Sequence, residues 1–88
     1  MNIKRYLLSK NIQPQFKGFE YLVLAIQLCQ EQNSVKDIHK KIYPKISELT
    51  TDKVQNIERC IRHAISKSYT PVITSKFLAR ALLELEEN

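Results

Sequence analysis

A single glycine stands in the whole chain of 88 residues. That excludes the usual dinucleotide fingerprint and leaves no glycine-rich phosphate loop, since both need several glycines at fixed spacing. Three prolines add little, so turn-forming residues are too few for a sheet protein with many hairpins. Long apolar runs are missing as well. The longest, Tyr21 to Ile26, has six residues, whereas a membrane span needs about 20. The N-terminus is not expected to be a secretory leader either. Only Tyr6, Leu7 and Leu8 follow Lys4 and Arg5 before Ser9 and Lys10, and a leader core needs roughly 7–15 apolar residues.

Chemistry-bearing clusters are equally sparse. Cys29 and Cys60 fall inside apolar helical patterns and read as buried free thiols of a reducing cytoplasm. With His39 and His63 they make no C-x-x-C pair, only Cys60-x-x-His63, so no metal site is expected. Nothing places a base and an acid beside a nucleophile, and Asp37, Asp52 and Glu58 form no obvious carboxylate pair. No catalytic residue, cofactor or small-molecule substrate is expected.

What is present points to helices. The apolar share of 43 % is that of a folded protein, and Leu, Ile, Lys, Glu and Gln are abundant. The length fits one small domain over 1–88. The net charge is +5, unevenly spread: residues 1–70 hold 12 basic against 6 acidic side chains, residues 71–88 hold 2 against 3. A basic body of this size suits a polyanion, nucleic acid above all.

Apolar spacing and breakers predict six helices. The first covers 3–10, with Ile3, Tyr6, Leu7 and Leu8 inward. Pro14 and Gly18 then break the chain, Gly18 as a bend residue. The second helix, 19–31, is apolar around most of its circumference and reads as the central core helix. Ser34 looks like the N-cap of a third helix carrying Val35, Ile38 and Ile42. Pro44 opens a short fourth, with Ile46 and Leu49 inward. Thr51 or Asp52 caps the fifth, over 53–68. Thr74 or Ser75 caps the last, to about 85, with Phe77, Leu78, Ala81, Leu82 and Leu85 as its stripe. Tyr6, Tyr21, Tyr43 and Tyr69 read as core or core-edge residues, and His39 as exposed.

The fifth helix carries the functional signal. Val54, Ile57, Ile61, Ala64, Ile65 and Ser68 share one face. Gln55, Asn56, Arg59, Arg62, His63 and Ser66 share the other, with Glu58 at the border. A short helix, a tight connection and a longer helix with a basic polar face outline a helix-turn-helix. In that motif the second helix enters the major groove. Arg suits a groove-reading helix because its planar fork bonds two acceptors of guanine at once. The expected base contacts are Arg59, Asn56 and Gln55, with the role of Glu58 left open at this point. The expected phosphate contacts are Lys53, Arg62, His63 and Lys67.

The run Ile57-Glu58-Arg59-Cys60-Ile61-Arg62-His63-Ala64-Ile65 resembles V-E-R-A-I-R-H-A-I. That is the recognition helix of the C-terminal DNA-binding domain of the stage zero sporulation protein A family. Three further pieces follow the family order. The stretch from Pro14 to Leu22 is similar to P-x-h-K-G-Y-x-Y-L, with h an apolar residue. Ile42-Tyr43-Pro44-Lys45-Ile46 is similar to L-Y-P-x-I, and the stretch from Thr74 to Ala79 to N-S-E-F-I-A. The resemblance implies an all-helical, six-helix fold with a helix-turn-helix that regulates transcription at short, TGTCGAA-like duplex boxes. It also implies base reading by Glu58 and Arg59, with Arg62 and His63 beside them at the DNA.

Three departures stand out. The family usually carries Arg where this chain has Asn56, and a longer loop where 69–73 connects the last two helices. The family domain also normally follows a phosphoacceptor receiver domain. This chain begins at Met1 without one, which implies either a stand-alone effector domain or a fragment, ungated by phosphorylation in cis. Duplex DNA is the expected partner, with RNA polymerase and a second copy on DNA as further ones. The alternative reading is an interaction protein that pairs with a full-length regulator or with RNA polymerase. Its contact surface would be the tail of Glu84, Glu86 and Glu87 beside Leu82, Leu83 and Leu85. A basic helix lying on membrane is disfavoured, because the apolar faces are needed for the core.

Overall fold

Asn2 starts the first helix: its side-chain oxygen accepts the Arg5 N–H at 2.8 Å, satisfying one of the donors a helix start leaves open. The computed structural model describes residues 2–86. They form five α-helices: α1 (Ile3–Ser9), α2 (Lys17–Gln32), α3 (Tyr43–Thr50), α4 (Val54–Ser66) and α5 (Thr74–Glu86). A π-helical turn, Ile38–Ile42, leads directly into α3. There is no strand among the described residues, and no helix long and apolar enough to cross a membrane.

The core is built around α2. Phe19, Tyr21, Leu22, Val23, Ala25, Ile26 and Cys29 are all buried on it. It packs most extensively on α4 and also touches α1, α3, α5 and the π-helical turn. Phe77, Leu78 and Ala81 bring α5 onto the same core. Ile12, in the connection between α1 and α2, is fully buried there too, although no periodicity marked it.

The predicted third helix does not form; five α-helices replace the expected six. Ser34 caps a turn instead, its hydroxyl accepting the Lys36 N–H at 3.0 Å. The Gln32 side chain takes the Ser34 and Lys36 carbonyls, and Asp37 turns left-handed with φ 58°. Helical backbone begins only at Ile38, and Tyr43 N–H reaches back to the Ile38 carbonyl. Pro44 lacks an N–H and would press on the carbonyl four residues earlier in a regular α-helix. The widened π turn accommodates it, so Pro44 sits in the first turn of α3 without separating two helices.

Other positions depart from the pattern. Gly18 is no bend residue: it lies inside α2 with ordinary helical backbone, where α2 crosses α4. A Cβ there would press into the Cys60 carbonyl and come within 2.6 Å of Ala64 Cβ. Leu8 and Leu49 point to solvent, Leu49 being 56 % exposed, because their short helices bury only one narrow side. Tyr69 is 73 % exposed in the α4–α5 connection, whereas Tyr6, Tyr21 and Tyr43 are buried as expected. Cys29 is a fully buried free thiol, pushed up to about 11 by burial, while Cys60 is only half-buried.

Candidate functional site

Helix α4 is amphipathic along its whole length. Ile57, Ile61, Ala64 and Ile65 are buried against α2, α3 and α5. That packing leaves Gln55, Arg59, Arg62, His63 and Ser66 exposed, with Asn56 and Glu58 half-buried at the edges. Lys53 precedes the helix as its N-cap and Lys67 follows it as its C-cap, both exposed. All eight residues expected to meet DNA therefore lie on or beside the outward side of one helix.

The connection from α3 to α4 is three residues long, 51–53. Thr51 takes the left-handed conformation, φ 61°, and its N–H bonds the Ser47 carbonyl at 2.8 Å, which closes α3. Neither Thr51 nor Asp52 caps α4. Its N-cap is Lys53, without a side-chain bond. Asp52 is turned to other work. Its Oδ2 accepts the buried Tyr21 hydroxyl of α2 and, at 2.6 Å, the Asn56 side-chain amide; its Oδ1 accepts the Lys53 N–H at 2.7 Å. The Tyr21 hydroxyl, the Asn56 amide and this N–H, in that order, hold the carboxyl below its ordinary range. Burial, and then the Asp52 carboxylate, push the Tyr21 hydroxyl up to about 12.

Two arginines dominate the exposed face and are held differently. Arg59 Nη2 donates to Asn56 Oδ1 at 3.0 Å. Arg62 Nη1 pairs with Glu58 Oε1 at 3.2 Å, one turn back. Glu58, the border residue of the helical projection, thus faces Arg62 in the protein alone. His63 is set edge-on against the Phe16 ring, 5.7 Å between centroids. Phe16, Lys17, Gly18, Arg59, Cys60 and His63 together line a small hollow between the start of α2 and the middle of α4.

Phe16 and Lys17 were not among the expected site residues, and neither were Asp52 and Tyr21. The signal for Asp52 lay in its spacing to Asn56, four residues on. Nothing local ties Tyr21 to Asp52, 31 positions away.

The tail is partly taken up by the fold. Leu82 and Leu85 pack against the core, and Glu84 pairs with Lys10 at 3.4 Å. Leu83 and Glu86 are exposed; Glu87 lies outside the described residues.

Residues 3–82 match the family model described as sporulation initiation factor Spo0A, C terminal. No curated protein sequence and no solved structure matches the chain.

Proposed function

The chain belongs to the Spo0A C-terminal family, the DNA-binding effector domain of a sporulation regulator and not an enzyme family, and from that premise we propose that α3 and α4 act as a helix-turn-helix that reads duplex DNA in the major groove. One observation carries this reading. The exposed face of α4 gathers Gln55, Arg59, Arg62 and His63, with Glu58 beside them and Lys53 and Lys67 at either end. Arg59, Glu58 and Gln55 form the base-facing set, with Asn56 beside Arg59. Lys53, Arg62, His63 and Lys67 flank it and meet phosphate. Bases are read by the few side chains in the middle, and the flanking cations set register and affinity.

Recognition also requires Glu58 to exchange partners. In the protein alone it occupies Arg62. Against DNA, Arg62 turns to a phosphate oxygen, and Glu58 is freed to accept from a cytosine amino group. Both groups of this ion pair are accessible, so breaking it costs little.

The alternative, a partner-binding protein using the end of α5, loses part of its surface to the fold. Leu82 and Leu85 serve the chain's own core, and Glu84 is engaged by Lys10. A double substitution separates the two readings. Arg59→Ala with Arg62→Ala weakens binding to both duplexes, lowers preference for the box by about 1–3 kcal/mol in electrophoretic mobility shifts and leaves the thermal unfolding midpoint unchanged. A double variant that keeps the full preference and affinity contradicts the proposal.

A further inference from the structure

The side-chain amide of Asn56 lies between two groups of opposite hydrogen-bonding character. Its Nδ2 donates to Asp52 Oδ2 at 2.6 Å, and its Oδ1 accepts from Arg59 Nη2 at 3.0 Å. A carboxylate only accepts and a guanidinium only donates, so a single amide orientation serves both. Asp52 is itself tied down by two further donors. The Tyr21 hydroxyl donates to the same Oδ2, and the Lys53 N–H donates to Oδ1. A chain of four side chains therefore runs from core helix α2, across the α3–α4 connection and the first turn of α4, to an exposed guanidinium.

We infer that Tyr21, Asp52 and Asn56 are positioning residues that hold the Arg59 guanidinium ready for a base edge, and that Asn56 serves Arg59 instead of reading a base itself. The inference rests on the DNA reading proposed above. An exposed arginine samples many rotamers, and the freedom it loses on binding weakens the complex. Holding it beforehand removes part of that loss. Only one Nη2 donor is committed to Asn56, so the rest of the fork stays open to the acceptors of guanine. The relay adds no phosphate contact, so it sharpens discrimination without raising general affinity. A side chain without an acceptor at position 56, such as arginine, would have nothing to offer Arg59.

The test uses the whole chain, a duplex carrying a TGTCGAA-like box and a scrambled duplex. Asn56→Ala and Asp52→Ala each reduce the preference for the box about tenfold, a fraction of what a bidentate arginine–guanine pair supplies. Both leave affinity for the scrambled duplex and its salt dependence unchanged. Asp52→Asn, which keeps an oxygen acceptor for Asn56, retains most of the preference. In an Arg59→Ala background, Asn56→Ala has no further effect. An additive loss in that background overturns the inference, because Asn56 then touches DNA directly. A matched loss on both duplexes with a lower unfolding midpoint also overturns it, in favour of a purely structural role.

A second readout needs no DNA. Nitrogen-15 relaxation of Arg59 Nε in the free protein shows a restrained side chain, released by Asn56→Ala and by Asp52→Ala. Equal mobility in all three proteins overturns the relay. Should Arg59 prove restrained while neither duplex is preferred, the DNA reading has failed and the recognition half of the inference falls with it, leaving only the side-chain restraint.

Discussion

Arg59 and Arg62 stand three positions apart on one helix face, yet their neighbours give them different tasks. Arg59 is braced by the neutral amide of Asn56, and Arg62 by the charge of Glu58. On the proposed reading, Arg59→Ala removes a base-reading fork and lowers discrimination by about 1–3 kcal/mol in competition binding against a scrambled duplex. Arg62→Ala weakens both duplexes alike and reduces the salt slope by about one. Asp52 gives a second residue-scale prediction, in pH. Its folded carboxyl is held below the ordinary value, first by the Tyr21 hydroxyl. A depressed carboxylate contributes stability that is fully present above the unfolded pKa of about 3.9 and is lost as pH falls through the folded value. Glu84, lowered mainly by the Tyr6 hydroxyl, acts in the same direction. The unfolding midpoint therefore drops on acidification below about pH 4, and less steeply in Asp52→Asn. Parallel curves for the two proteins would contradict the assignment.

Among the elements, the contact between α2 and α4 sets the position of everything on the exposed face of α4. Gly18 permits that approach. Helix propensity alone makes Gly18→Ala stabilising by about 1 kcal/mol. The closeness of the Cys60 carbonyl and Ala64 predicts the opposite, a loss of about 1–3 kcal/mol from overpacking in chemical denaturation, with weaker DNA binding as α4 shifts. Tyr69→Ser, in contrast, changes stability by less than about 0.5 kcal/mol, because the ring is in solvent. The long helices were legible in the sequence because each repeats its apolar spacing over several turns, as Ile57, Ile61 and Ala64 do on α4. The segment 34–43 was not. Val35, Ile38 and Ile42 fit a helical stripe, but the Ser34 turn, the Gln32 side chain and Pro44 convert the segment to a turn followed by π backbone. Leu8 and Leu49 misled for a related reason: a helix of two turns buries so narrow a side that an apolar residue one position off it reaches solvent. The exposed face of α4 was readable from periodicity. The anchoring of Asp52 by Tyr21 was not, because it joins residues that only the α2–α3–α4 packing brings together.

Across the whole molecule the charge is polarised. The basic residues concentrate before position 71, and the last stretch is slightly acidic. In the fold, Lys53, Arg59, Arg62, His63 and Lys67 all lie on or beside the outward side of α4, with Lys17 near Arg59 and His63. Such a face attracts any polyanion at low salt, so binding by itself decides little. Fluorescence anisotropy puts base reading by α4 to the sharpest test. The chain is titrated with a duplex carrying the TGTCGAA-like box and with a scrambled duplex, over a series of salt concentrations. Base reading predicts a preference for the box of roughly 10³-fold, with affinity for both falling as salt rises. Equal affinity for the two duplexes at every salt concentration would contradict it.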